Sequence, residues 1–591
     1  MHNPIYTELT SCRDCYKCVR GCPVKAIQIR DNRAMVVHDR CTYCGKCVHL
    51  CPNNAKKVRN DTERVKLALA SGRRVICSLA PSYVAEFPGE EEALVIALKR
   101  LGFSGVSETA IGATLVTEAL DIYSSEHGGS CPFIGTACPS VVELVRKYFP
   151  EKVGKLAPVP SPLQTHSAYL RHIYPGDLTI VFIGPCVAKK LEADQTPGYP
   201  DLALTFTELR SWLDSEGIDL SKVKSGDSSL IPCKAGIASI YPIEGGQIKS
   251  SCLWGSDPLS PDAVPLSGSS QVLSALEGED SAFLELLSCE GGCINGPGAA
   301  SRSSVAEKKR RTSAWTGRRL QEMDVFKGDE AFARLLLEKG YSILGPGKPS
   351  RAVRRRHTEE EISSALHTLG KFTKQDELNC GGCGYNTCRD MALALLDGMA
   401  EVEMCVTKMR KEAESKVDVL LRNIPMGVVI VDTDLLIADC NAAFLELFTD
   451  MAPEVMDQEL VSSMEGLPLD SFVPFAERFR DQFYIPRPGQ YRIHYKDKFL
   501  RLTFFMVEED RLLGAMFEDI TSPTIRRETV VKRAEDVIQK SLETVQQIAS
   551  LLGENAAETE IMLNSLIEAF SVHGTTNEAE EFAVDADGDL S

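Results

Sequence analysis

The chain has 591 residues, a formal net charge of -18, 43% hydrophobic and 25% charged residues, and 21 cysteines. That length exceeds what one hydrophobic core can organise and implies roughly three to five domains, while the acidic balance excludes a nucleic-acid surface as the main business of the chain. No apolar run is long enough to span a bilayer, and the opening MHNPIYTELTSCRDC lacks the charged-then-apolar layout of a signal peptide, so a cytoplasmic location without membrane contact is expected.

In a reducing compartment, regularly spaced thiols point to metal centres rather than disulfides. Residues 12–23 read CRDCYKCVRGCP, and residues 41–52 read CTYCGKCVHLCP, an internal repeat with the spacing CxxCxxCxxxCP. Three thiolates so spaced wrap one corner of an iron–sulfur cube, and the fourth, before the proline, reaches the other cluster. Cys12, Cys15, Cys18 and Cys51 are thus expected to hold one [4Fe–4S] cluster, and Cys41, Cys44, Cys47 and Cys22 a second, in a ferredoxin-like module over residues 1–62. Paired zinc knuckles are the competing reading, but zinc sites seldom use the CxxCxxC triplet.

After residue 60 the pattern changes. Arg74–Pro81 and Leu178–Ile183 are short apolar runs that read as buried strands, with Leu202–Thr205 a third; helical spacing follows over Glu91–Leu101, Val141–Tyr148 and Phe206–Leu213. Such alternation predicts an α/β domain with largely parallel sheets over residues 65–345, whose cofactor would sit at the carboxyl ends of strands. Thr136-Ala137-Cys138-Pro139-Ser140 and Gly184-Pro185-Cys186-Val187-Ala188-Lys189-Lys190 lie in such strand-end loops. A third stretch, Cys289-Glu290-Gly291-Gly292-Cys293-Ile294-Asn295-Gly296-Pro297-Gly298, sets two thiols among residues that let backbone approach closely.

In order and spacing, TACPS, GPCVAKKLEAD and SCEGGCINGPG resemble the three active-site motifs of the iron-only ([FeFe]) hydrogenases. The two-cluster N-terminal module and SPLQ at 161–164 also fit that family, and the resemblance covers about residues 1–320. It implies that Cys138, Cys186, Cys289 and Cys293 hold the [4Fe–4S] part of an H-cluster, with Cys293 bridging to a two-iron subcluster that carries CO, CN and a dithiolate bridge. Lys189 matches the lysine that contacts a cyanide ligand.

Three departures from the family pattern bear on rate. Active members carry a proton-relaying cysteine where this chain has Ala137, and alanine cannot transfer a proton. The usual methionine is Gly184, expected to leave space beside the two-iron unit, and Pro297 breaks the glycine run after Cys293. A slow catalyst is expected rather than a dead one. Glu118, in the region of the family's relay glutamates, and Cys131 are candidate alternative donors; an exposed helical glutamate and a buried structural thiol are the plainer readings of each.

Residues 301–357 turn basic, with Lys308–Arg311, Arg318-Arg319 and Arg354–Arg356; a phosphate contact is conceivable, but a solvated face is the commoner outcome. Over 358–412, Cys380, Cys383 and Cys388 followed by Cys405 resemble a small four-cysteine domain that holds a third further [4Fe–4S] cluster, with zinc the competing metal. Residues 418–522 resemble a PAS sensor domain of α+β type: a hairpin at Asp432–Asp434, a helix from Asn441, and strands at Tyr491–Tyr495, Phe499–Val507 and Leu512–Glu518. Its ligand is unknown. Residues 523–572 form a helical segment with a seam at Ile538, Leu542, Val545, Ala549 and Leu552, and 573–591 an acidic tail expected to be disordered. Cys77, Cys131, Cys233, Cys252 and Cys440 default to structural thiols.

The combination suggests a sensory [FeFe]-hydrogenase that slowly and reversibly oxidises H2 to protons and electrons. Its redox state would bias the PAS domain and a separate signalling protein, a kinase or phosphatase. Ferredoxin or another redox partner and a homodimer are further expectations. A metabolic ferredoxin-linked hydrogenase and a non-catalytic redox switch without the two-iron unit are the alternatives.

Overall fold

The computed structural model describes residues 3–127, 133–252, 262–278, 282–344, 350, 352, 355–412, 424–449, 460–461, 463–483, 489–508, 511–521 and 580–583. They divide into two compact units, one of Met1–Cys12, Tyr16–Ala365 and Glu377–Glu401, the other of Arg13–Cys15, Leu366–Asp376 and Val402–Ser591.

In the first unit the cysteine repeat becomes a structural repeat. Each loop turns into a five-residue helix, Lys17–Gly21 or Lys46–Leu50, with Cys22 and Cys51 as the C-caps. Their sulfurs each accept from a backbone N–H four residues on, Ala26 and Ala55, both at 3.2 Å. Antiparallel pairing of Ile5–Thr7 with Lys56–Val58 and of Ile27–Arg30 with Arg33–Val36 completes the module.

The α/β part has a four-stranded, all-parallel sheet in the order Gly105–Glu108, Arg74–Leu79, Leu178–Gly184, Leu202–Thr205. Strands Arg74–Leu79 and Leu178–Gly184 are buried at every position but Arg74, as expected of parallel strands covered on both faces. A second parallel pair joins Ala263–Ser267 to Phe283–Leu287. SPLQ becomes a capping box: Ser161 caps the helix Pro162–Ile173 and exchanges hydrogen bonds with Gln164. The segment after the first module is fixed to this domain by Lys190, whose buried Nζ donates to Asp61 at 2.8 Å and Glu208 at 2.9 Å. Burial alone would raise the Asp61 carboxyl, but the Lys190 charge overcomes it and holds the group below its usual value.

Residues 358–412, expected as one module, are divided between the units. Glu377–Glu401 packs on the ferredoxin-like part: Lys25 Nζ donates to the Gly384 carbonyl at 2.6 Å, Ile29 N to Met399 O at 3.0 Å, and Asp31 N to Glu401 at 2.7 Å. The basic stretch is also not simply a solvated face. Lys308 and Arg319 are 2% and 5% exposed, on the inner side of the helix Val305–Arg319. Cys77 and Cys440 are buried as structural thiols would be, whereas Cys252 is exposed.

Residues 424–521 of the second unit form an α+β fold. Its antiparallel sheet runs Ile437–Cys440, Gly427–Asp432, Leu512–Asp519, Lys498–Glu508, Gln490–Tyr495. Asn441 caps the helix Ala442–Phe448 and also accepts from Val428 N at 2.8 Å, so one amide ties helix to sheet. Phe444, Phe448, Phe479, Phe504 and Phe517 fill its core. The tail corrects one expectation. Glu580–Ala583 pairs in parallel with Gln490–Tyr495, satisfying an otherwise open sheet edge. The seam from Ile538 to Leu552 lies outside the described residues, as does Cys131.

Candidate active site

The site forms where parallel strands end. Arg74–Leu79 runs into Ala80, Pro81 and Ser82, Gly105–Glu108 into Thr109, Leu178–Gly184 into Pro185 and Cys186, and Phe283–Leu287 into Ser288 and Cys289. All of these line one cavity of about 100 Å3. Cys138, the N-cap residue of the helix Pro139–Tyr148, and Cys293 line it as well, so four thiols from three separate stretches of the sequence line one cavity.

Their chemistry calls for a cation. Burial, then the charge of Cys138, pushes the Cys186 thiol up to about 12. Cys289 and Cys293 are raised by burial first and by neighbouring sulfurs next. Adjacent thiolates in an apolar cavity become favourable only when iron supplies the compensating charge, so the donor set fits a thiolate-bound iron–sulfur group. Among the described residues, no three His, Cys, Asp or Glu side chains converge as ligands of a single ion.

Glycines let the 289–298 loop lie against the other walls. Gly292 has φ +107°, and a Cβ there would come within 2.3 Å of the Pro242 carbonyl; one at Gly296 would meet the Pro185 carbonyl at 2.6 Å. Gly184 behaves otherwise than expected. A Cβ there would lie 2.4 Å from the Phe182 ring and 2.7 Å from Ala80, so the room left by the absent side chain is filled, with Phe182 itself lining the cavity.

Lys189 lines the cavity and is 7% exposed. Its Nζ donates to Ser161 Oγ at 2.9 Å and Glu192 Oε2 at 2.7 Å. An ammonium has three N–H donors, so one remains for an anionic ligand in the cavity. Ala137 also lines the cavity, packed with Ala113, Ala238 and Tyr241. Glu118 is elsewhere: its carboxylate accepts from Asp329 N at 2.8 Å, and it is not part of the cavity lining.

Three features were not anticipated. Tyr241 lines the cavity beside Ala137, and its hydroxyl is 2.7 Å from Thr117 Oγ1, which is 3.2 Å from Ser250 Oγ. Glu285, 2% exposed, accepts from Ile248 N at 3.0 Å with Oε2, while Oε1 has no hydrogen-bond partner. Burial raises its carboxyl to about 7, and its charge is felt by Cys293 and Tyr241. The sequence carried one sign of it, a lone carboxylate inside the apolar run Phe283-Leu284-Glu285-Leu286-Leu287. Third, Tyr43 and Cys44 of the ferredoxin-like module form part of the cavity wall. Pro297 accounts for this placement, since a Cβ at Gly45 would lie 2.4 Å from its ring.

Residues 73–260 match the iron-only hydrogenase large subunit, C-terminal domain family. The central α/β part is an iron-only hydrogenase-type domain. Residues 4–52 match the 4Fe-4S dicluster domain and residues 376–407 an Fe-S cluster family, which covers Cys380, Cys383, Cys388 and Cys405. Iron hydrogenase 1 of Clostridium pasteurianum is 24% identical over 300 residues, 40% of this chain and 52% of that protein. The match thus spans about half the length of that relative. Among solved structures, the apo [FeFe]-hydrogenase HydA1 of Chlamydomonas reinhardtii aligns with a TM-score of 0.35 at 17% identity, over 48% of this chain and 94% of that one. The PAS domain of an HTR-like protein from Haloarcula marismortui aligns at 0.15 with 18% identity, over 19% of this chain and 99% of that one. No described helix of the hydrogenase-type domain or elsewhere is long and apolar enough to cross a membrane.

Proposed function

We propose that the chain is a sensory [FeFe]-hydrogenase that oxidises H2 slowly and reversibly, its redox state biasing the PAS-like unit and a separate signalling protein. The observation that carries this reading is the convergence of Cys138, Cys186, Cys289, Cys293 and Lys189 on one cavity whose position for a relay cysteine is Ala137. In it the four thiols hold an H-cluster, which when bound supplies an open iron that splits H2. Lys189, held by Ser161 and Glu192, would have one N–H left to donate to an anionic ligand of the group.

Protons need a route that avoids Ala137. Glu285 is the buried carboxyl whose proton affinity suits exchange near neutral pH, and the hydroxyls of Tyr241, Thr117 and Ser250 lead away from the cavity wall. Three linked hydroxyls and a buried carboxyl that does not line the cavity would form a poorer route than a thiol at the reacting centre, which supports the reading of a low rate. Cys12, Cys15, Cys18 and Cys51, then Cys22, Cys41, Cys44 and Cys47, then Cys380, Cys383, Cys388 and Cys405 hold three further [4Fe–4S] clusters in this reading.

The test is infrared spectroscopy of chain loaded with both parts of the H-cluster. Cyanide and carbon monoxide bands that shift on exposure to H2 are the expected result. Absence of those bands after loading, or bands indifferent to H2, would overturn the proposal.

A further inference from the structure

A second cavity lies in the first unit, where Glu377–Glu401 packs on the ferredoxin-like part, with a volume of about 270 Å3. Its polar lining includes Lys25, Arg40, Tyr148, Arg355, His357 and Tyr385. The Arg354–Arg356 run, which the hydrogenase reading leaves without a role, contributes Arg355, and His357 follows one residue past the run.

Most polar groups of the lining are already engaged. Lys25 Nζ donates to three carbonyls, Gly384 at 2.6 Å, Arg20 at 3.2 Å and Val19 at 3.3 Å. Arg40 and His357 share Asp397, each at 2.9 Å, and Tyr148 donates to the Arg40 carbonyl at 2.6 Å. Asp390 is taken up by Thr387 in the capping box of the helix Cys388–Leu396. Tyr385 is the exception. It is 4% exposed, and its hydroxyl has no hydrogen-bond partner. A buried donor left unpaired is costly enough to need a cause, and the residue that carries it lines a space far larger than one water requires.

The charge of the lining favours an anion. Lys25, Arg40 and Arg355 are three cations against Asp390 and Asp397, a net excess of one positive charge, with Arg40 paired to Asp397. We propose that this cavity binds a phosphate group, with the Tyr385 hydroxyl donating to one oxygen and the Arg355 guanidinium clamping others. Guanidinium and phosphate match in a bidentate geometry, and the tyrosine proton requires an acceptor that the protein does not supply. The phosphate is inorganic or is carried by a small metabolite. Because the Lys25 ammonium that lines the cavity also joins the Val19–Arg20 and Gly384 backbones, occupancy would stiffen the contact between two cysteine-bearing segments.

Calorimetric titration of the cluster-loaded full chain with inorganic phosphate and, separately, with adenosine monophosphate tests this. Saturable binding of at least one, absent with chloride, is expected, and the two arms distinguish free phosphate from a phosphoryl group on a larger body. Tyr385→Phe and Arg355→Ala are each expected to weaken binding about tenfold or more, the worth of a hydrogen bond to a charged group. Tyr385→Phe keeps the ring, and unchanged iron content shows that the adjacent cysteines are undisturbed. No binding of either probe to the parent chain, or binding that both variants leave unchanged, would overturn the proposal.

Discussion

Replacing Glu285 by glutamine separates its roles as proton carrier and as packing element. The carboxyl is 2% exposed, and burial moves it from the model-compound value of 4.5 to about 7. A difference of about 2.5 in pKa corresponds to about 3 kcal/mol of differential interaction between the two protonation states. The folded chain holds this proton more tightly than the unfolded one, so the stabilisation is fully present below pH 4.5 and lost as pH rises through about 7. Glutamine keeps an oxygen to accept from Ile248 N and carries no titratable proton. Glu285→Gln should therefore flatten stability between pH 4.5 and 7 by about 3 kcal/mol and lower H2 oxidation by about 10²- to 10⁴-fold. All three tryptophans fall within residues 65–345, so their fluorescence during denaturant unfolding reports on this domain. Dye reduction under H2, followed across the same pH range, reports the second effect. A variant with parental activity and parental pH dependence of stability would refute the assignment of Glu285 as the proton-holding group.

Ala137→Cys should raise turnover by about 10²- to 10⁴-fold, because it restores a titratable group at the cavity wall; H2 evolution from a reduced dye checks this, with unchanged iron content as control. Lys190→Met should destabilise the first unit by about 3–5 kcal/mol, read as an earlier denaturation midpoint, because it removes the cation paired with the buried Glu208 carboxylate, whereas Asp61 keeps Arg59 and Arg64. Gly45→Ala should loosen the ferredoxin-like module from the hydrogenase-type domain, since φ +76° disfavours alanine and the new Cβ would meet Pro297 at 2.4 Å; faster amide exchange over residues 41–51 is the readout.

Covalent pattern and local periodicity made much of this molecule legible. The CxxCxxC repeat, the apolar runs that became parallel strands and the SPLQ capping box all depend on residues close in sequence, where spacing dictates geometry. What was illegible depends on rotation and docking. Glu118 and Thr117 are neighbours on one helix, yet a residue step turns the side chain by about 100°. Thr117 therefore reaches Tyr241 while the Glu118 carboxylate meets Asp329 N, a difference in direction that position along the chain does not reveal. Cys44 could be assigned to a cluster from its spacing, but its place on the cavity wall follows from Pro297 meeting Gly45, a contact across 252 positions that no local pattern announces. The basic run likewise gives no sign in sequence that Lys308 and Arg319 turn inward.

The three departures from the family pattern share a physical trait. A cavity losing its function to drift would be expected to keep the voids its lost side chains leave, since each empty methyl-sized space only costs stability. Here each change is met by a neighbour. Ala137 is packed by Ala113, Ala238 and Tyr241, the space at Gly184 is taken by Phe182 and Ala80, and Pro297 seats on Gly45. The four thiols and Lys189 meanwhile stay on the cavity, and polar connectivity passes from position 137 to the adjacent Tyr241 and on to Thr117 and Ser250. On the proposed reading, the retained thiols, the repacked surroundings and the hydrogen-bond chain beside position 137 would belong to a site adjusted in rate rather than one abandoned, as detection of H2, in contrast to its bulk turnover, would require.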